Sequence, residues 1–362
     1  MPIKPEEVQK RFLAFAETEC QGNSPLYYDL SIRIAQAGEL LAMASHSRAG
    51  QPVANLFLAS VHYLVLQDAG SEPGKYYPSV TGRTTAEIPF HIFKQFCLNH
   101  EREIRTLLST QIVQSNVISR CSYLMPVFSR LIARENRPVT LIDIGTSAGL
   151  TLNFDRYEYW YNGKKCWGNS RVVIRGTVRD SAIPDIPEIG QPITKIGIDQ
   201  HVIDPADPRE ALWLKALVWP DQLDRFRTME EALKRMDPRE ISFVKGDLLR
   251  DFEGIASRVP PRQNLMVYAT HVLYQLSTLD RGRFHDMLDR IGQQRDYYFL
   301  SVEGIKPLVE RYGSTGTVVE LTHYKDGKKT CSCLAETNGH GNWITWKDGL
   351  ALSKEPETQS RN

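Results

Sequence analysis

Apolar residues recur three and four positions apart through the first third of the chain, as Val8, Phe12 and Phe15, then Leu26, Leu30 and Ile34, then Leu56, Phe57, Val61 and Leu64, then Phe93, Phe96 and Cys97. That spacing puts one apolar stripe on each of a series of helices. Breaks rich in Pro or Gly separate them at Gly22–Pro25, Gly50–Pro52 and Gly70–Thr81. The densest stretch, Val53–Leu66, is interrupted by Asn55, Ser60 and His62. It falls short of the roughly 20 apolar residues that span a bilayer and reads as a buried helix. Residues 1–137 are therefore expected to form an all-helical domain.

The period changes after Arg137-Pro138. Val139–Ile144, Lys195–Ile198, Ile241–Val244, Leu265–Tyr268 and Tyr297–Leu300 are short β-branched or aromatic runs, and helical patterns fill gaps at Arg209–Met236 and Asp280–Arg295. Strands alternating with helices predict βαβ units and a mostly parallel sheet. Thr317–Tyr324 and Lys329–Ala335 flank Asp326-Gly327 and predict an antiparallel hairpin. An α/β domain over 138–352 follows, with a polar tail at 353–362. Arg156–Tyr161 and Arg171–Arg179 read as an inserted hairpin over the pocket, around 156–190.

Composition narrows the function classes. Lys and Arg number 44 against 43 Asp and Glu, for a net charge of +1, so no basic surplus is available for a nucleic-acid backbone. No basic segment followed by an apolar run opens the chain, and a cytoplasmic location without membrane association is expected. The six cysteines are scattered; Cys331-Ser-Cys333 lacks partners at zinc spacing, so reduced structural thiols and no metal are expected.

The segment Asp143-Ile-Gly145-Thr-Ser147-Ala-Gly149 ends the first strand in a carboxylate and continues in small residues. Small residues let a ligand approach the backbone, as in nucleotide-binding turns. Asp199 and Asp247 close the next two strand runs, and ligands of open α/β sheets bind at those ends. An acid after the second strand can accept ribose hydroxyls; one after the third can accept an adenine amino proton or simply cap a helix.

This combination resembles the class I S-adenosylmethionine-dependent methyltransferases. The resemblance implies a Rossmann-like fold and a cofactor held by Asp143, Gly145, Thr146, Ser147, Ala148 and Gly149, with Asp199 at the ribose and Asp247-Leu248 beside adenine. A second set of segments resembles the bacterial family known as domain of unknown function 2332: Ser24–Tyr27, Gln51–Leu56 running into Val61–Tyr63, Tyr76–Ser79, Val113–Asn116 with Arg120-Cys121, Ser147–Leu150 through Asp155–Tyr157, Ala216–Pro220, and His340-Gly-Asn-Trp343. It spans residues 10 to 347 and implies a helical N-terminal cap on a methyltransferase-like fold.

Several side chains could carry chemistry. Gln114, Asn116 and Arg120 fall on a predicted helix, where Asn116 and Arg120 share a face and the guanidinium could clamp an anion or form a salt bridge. His271 follows the fourth strand and could act as a base. Glu303 closes the fifth and could orient His271 or bind a substrate amine. Tyr77, Tyr157 and His340 are further substrate-binding candidates, whereas His62 and Trp213 read as core. Asn153, Asp155, Arg156 and Tyr157 lie on or after a helix opened by the glycine turn. Serine hydrolase, zinc protease and P-loop readings are set aside on motif grounds.

The leading expectation is a methyltransferase acting on a small polar or anionic metabolite. One alternative is an enzyme of the same fold that uses no S-adenosylmethionine and catalyses displacement, cyclisation, elimination or hydrolysis at a leaving group. Another is a non-catalytic partner subunit; self-association or a partner protein is left open.

Overall fold

Several helices begin at a proline whose missing N–H costs nothing in the first turn. Pro25 and Pro208 occupy that position after Ser24 and Asp207, whose side chains accept from Tyr27 N and Arg209 N. A computed structural model of the protein describes residues 3–84 and 87–347. The expected tail at 353–362 and domain end at 352 lie outside the described residues.

The chain forms two units, one from the residues up to Ser115 with Asp204–Lys234, the other from Asn116–Ile203 with Arg235 onward. In the first, every described element is a helix. Its centre is Val53–Gln67, buried on almost all sides. His62 Nδ1 lies 2.9 Å from Ala216 O and Nε2 lies 2.8 Å from Ser79 Oγ. A carbonyl only accepts, so Nδ1 carries the proton and Nε2 accepts from Ser79. Burial pushes this imidazole down to about 4, and it is a neutral core group.

The boundary expected at 137 is replaced by this division. Helix Pro208–Ala216 joins the helical core through Trp213 and Ala216. Helix Cys121–Glu135 instead belongs to the second unit, where Phe128 packs on Phe154 and Tyr268. Periodicity reveals that a segment is a helix with an apolar stripe; which core accepts the stripe depends on residues far away in sequence.

The second unit holds one sheet of eleven strands among the described residues. These are β1 (Val139–Ile144), β2 (Glu158–Tyr161), β3 (Lys164–Trp167), β4 (Val173–Val178), β5 (Ile193–Asp199), β6 (Ile241–Lys245), β7 (Asn264–Thr270), β8 (Tyr297–Glu303), β9 (Thr317–Lys325), β10 (Lys328–Thr337) and β11 (Trp343–Trp346). Their order is β3-β2-β4-β11-β10-β9-β8-β7-β1-β5-β6. The run β8-β7-β1-β5-β6 is parallel throughout. β1, β7 and β8 are buried at every position, which explains their near-continuous apolar sequences.

β9 and β10 pair as the expected hairpin, closed by Asp326 and Gly327, both at positive φ, as the primed turns require. The segment expected as one inserted hairpin around 156–190 is three strands. β2 and β3 pair antiparallel, β4 lies parallel to β2, and β11 joins β4 to the rest of the sheet. They extend its margin beyond β11. All six cysteines are free thiols, and no described helix is long and apolar enough to cross a membrane.

Candidate functional site

In chain order the five parallel strands sit 3-2-1-4-5, so the chain reverses direction across the sheet between β1 and β7. The carboxyl ends beside such a reversal are where open α/β sheets place ligands.

β1 ends in Asp143-Ile144 and turns sharply, with positive φ at Gly145, Ser147 and Gly149. Gly145 N and Thr146 N both donate to Ile198 O, Gly149 N donates to Thr146 O, and Ser147 N donates to Asp199 Oδ2 at 2.9 Å. These amides are engaged inside the unit, so they offer no cradle for a pyrophosphate. The helix expected after the turn is a short 3-10 segment, Leu150–Arg156, broken at Asn153. Lys195, buried on β5, donates to Asn153 Oδ1 and to Asp155 Oδ1 at 2.6 Å and holds that segment down.

The three acids have distinct surroundings. Asp199 is half-buried, its Oδ2 accepting from Ser147 N and its Oδ1 from His201 N. Asp247 is the N-cap of helix Leu248–Ser257. Its Oδ1 accepts from Leu249 N and Arg250 N while Oδ2 accepts from Gln200 Nε2. Leu248 packs against the apolar cluster beneath. Asp143 is buried, accepts from Thr151 Oγ1 at 2.9 Å, and is pushed by burial up to about 7. Thr151 in turn lies 3.1 Å from the Tyr268 hydroxyl.

The ends of β7 and β8 form a second polar group. His271 sits at φ 54 and donates its N–H to Val302 O. Fully buried Glu303 closes β8, and its Oε1 accepts from Val272 N at 2.7 Å and Leu273 N at 2.8 Å. Glu303 therefore fixes the backbone just past His271 and makes no bond to its ring. Burial raises its carboxyl to about 6. Burial, then the Arg120 charge, pushes His271 down to about 3. The His271 imidazole, expected as a base, is thus held neutral by its burial, and the Glu303 carboxyl is raised by the same cause.

Residues 111–117 have no helix, and Ile118–Arg120 is a single 3-10 turn. The expected shared helical face of Asn116 and Arg120 is therefore absent. β-Branched Ile112, Val113, Val117 and Ile118 disfavour a helix, and Asn116 Nδ2 is tied to Thr146 O at 2.9 Å. Arg120 directs Nη1 to Thr270 O and Nε to Gly339 O, bracing β7 against the turn at 338–341. His340 is exposed on that turn, and its carbonyl accepts from Ser119 Oγ. The buried Tyr157 hydroxyl donates to Leu150 O. Gln114 and Tyr77 belong to the first unit, where Tyr77 is buried beside the His62 ring.

Five buried atoms in this region lack a hydrogen-bond partner: Thr146 Oγ1, Ser147 Oγ, Asn116 Oδ1, His271 Nε2 and Glu303 Oε2. So does the hydroxyl of Tyr123, one turn beyond Arg120, a residue the sequence did not single out. The Asp143–Thr151–Tyr268 chain was also missed, because nothing in the spacing links a threonine after the turn to a tyrosine on another strand.

The motif argument against a serine hydrolase is corrected, since Gly145-Thr-Ser-Ala-Gly149 does spell the Gly-x-Ser-x-Gly of a nucleophile elbow. Geometry makes the better argument. Ser147 Oγ bonds neither His271 nor any other base, and Glu303 holds backbone amides and makes no bond to the imidazole. Among the described residues no group of three or more His, Cys, Asp or Glu could hold a metal ion.

The fold and its polar strand ends define a mixed α/β protein with a large, mostly parallel sheet. The family described as "Uncharacterized protein conserved in bacteria (DUF2332)" matches residues 9–346, and the chain belongs to that family. No curated protein matches it.

Proposed function

We propose that the second unit is a small-molecule enzyme of the class I methyltransferase type. The observation that carries this reading is the Asp199 carboxylate at the end of β5, tied to Ser147 N in the glycine turn at the strand reversal. Each carboxylate oxygen accepts a backbone N–H, and a carboxylate oxygen can accept from a ribose hydroxyl as well. The turn's engaged amides suit the uncharged sugar of S-adenosylmethionine better than a dinucleotide pyrophosphate. Bound there, the cofactor would supply an electrophilic methyl group; the protein would orient a nucleophile and exclude water.

Calorimetry of the native chain with S-adenosylmethionine and S-adenosylhomocysteine is the test. Binding is expected, weakened about 10- to 100-fold in Asp199→Asn, the size of one or two charge-assisted hydrogen bonds. No heat from either compound, with circular dichroism showing folded protein, would overturn this reading.

One observation favours a second reading. Asp247 is engaged as a helix cap through Oδ1 and holds Gln200 through Oδ2, while unpartnered buried groups stand at the ends of β1, β7 and β8. Under that reading the same fold positions a substrate bearing its own leaving group and needs no methyl donor. Turnover that persists in protein freed of all nucleoside would select it.

A further inference from the structure

Ser147 follows β1, His271 follows β7 and Glu303 ends β8, three adjacent strands in the sheet. Asn116 is anchored to Thr146 beside Ser147. Neighbouring strands lie about 4.8 Å apart, so the three strand ends span about 10 Å, the length of a small metabolite. Gly145 and Val272 touch across this span: a Cβ on Gly145 would lie 2.4 Å from Val272 Cγ2.

The unpartnered atoms share a chemical sense. Glu303 Oε2 and Asn116 Oδ1 are acceptors, while Ser147 Oγ and His271 Nε2 can accept or donate. None is obliged to donate. The obligate donors without partners in this unit lie away from these strand ends: Trp167 Nε1 is on β3, Arg295 Nε precedes β8, and Asn264 Nδ2 is at the opposite end of β7. The nearby guanidinium of Arg120 directs Nε and Nη1 at main-chain carbonyls.

We propose that the strand ends of β1, β7 and β8 receive the protonated amine of a small substrate, with Glu303 as its counter-charge and proton acceptor. This deepens the proposed function and, of the expected polar or anionic metabolite, keeps the polar alternative. An ammonium brings three N–H donors to a group of acceptors. One N–H bond then breaks, its electron pair remains on nitrogen, and the proton passes to Glu303 Oε2, leaving a neutral amine nucleophile. The carboxyl held up near 6 by burial suits that exchange. Such a nucleophile serves a methyl donor and a substrate with its own leaving group equally, so the inference rests only on the site belonging to a small-molecule enzyme.

The test is calorimetry of the full chain at pH 7 with ethanolamine, putrescine and tyramine, set against acetate and phosphate. At least one amine is expected to bind, the two anions not at all. Glu303→Gln should weaken the amine at least tenfold; it keeps an amide oxygen for Val272 N and Leu273 N. If that variant fails to fold, Ser147→Ala should weaken binding three- to tenfold. Binding of anions in place of amines, or amine binding unchanged in both variants, would overturn the inference. Amine binding without S-adenosylmethionine binding would overturn the cofactor reading alone.

Discussion

Asp143→Asn should stabilise the protein by about 4 kcal/mol at pH 8 and have little effect at pH 4. Burial holds the Asp143 carboxyl up to about 7 from an ordinary 3.8. The folded state therefore holds this proton more tightly than the unfolded state between those values. Stability from the protonated form is complete below about pH 4, declines as pH rises, and is lost above about 7. A shift of that size corresponds to a few kcal/mol at about 1.36 kcal/mol per unit. Asparagine matches the neutral acid in shape and still offers an oxygen to Thr151 Oγ1. Urea unfolding at pH 4, 6 and 8 measures the difference. Equal stabilities at pH 8 would refute the buried-acid argument.

Other groups shape the rest of the profile. Glu303, raised to about 6, has the same sign as Asp143 over a narrower window. His62, pushed down to about 4, has the opposite sign, its contribution present above 6.5 and lost as pH falls toward 4. Asp143→Asn should thus remove most of the decline between pH 6 and 8 and leave the acid limb intact.

Gly145→Ala should cost about 3 kcal/mol, combining the penalty of a left-handed backbone with a forced steric overlap. Its φ is 74°, and the new Cβ would sit 2.4 Å from Val272 Cγ2. Val272→Ala should recover part of that loss, with a coupling of about 1 kcal/mol in a double-mutant cycle. Gly254→Ala is the control: it lies inside helix Leu248–Ser257 with nothing within 4 Å of its Cβ, and should be neutral or stabilising. Equal losses at Gly145 and Gly254, measured by thermal denaturation, would show that the contact with Val272 does not matter.

The contrast between these positions shows how far sequence reasoning reaches. Asp143, Gly145 and Gly149 stand out in the sequence because a carboxylate and small residues follow an apolar run. The turn and its place after β1 are as expected. The depth of Asp143 and the contact of Gly145 with Val272 involve residues more than a hundred positions apart, and no local pattern encodes them. Glu303 was legible as an acid at a strand end, yet its bonds to Val272 N and Leu273 N depend on β7 and β8 lying side by side. Arg120 was legible as a cation on an expected helix; the 3-10 turn it occupies and its main-chain partners Thr270 and Gly339 were not.

What the sequence determined by itself is the kind of element at each place: helices through residue 110 from the three-four spacing, parallel strands from fully apolar runs, the hairpin from Asp326-Gly327, and a polar turn after β1. Those features are local because dihedral preference and the side-chain period act over a few residues. Tertiary structure alone decided which helices share a core, that β2, β3 and β4 continue the sheet beyond β11, that Asp247 caps a helix, and that the buried polar atoms lack partners. Such properties arise when distant segments exclude water together, because desolvation and hydrogen-bond satisfaction depend on the whole surroundings of a side chain.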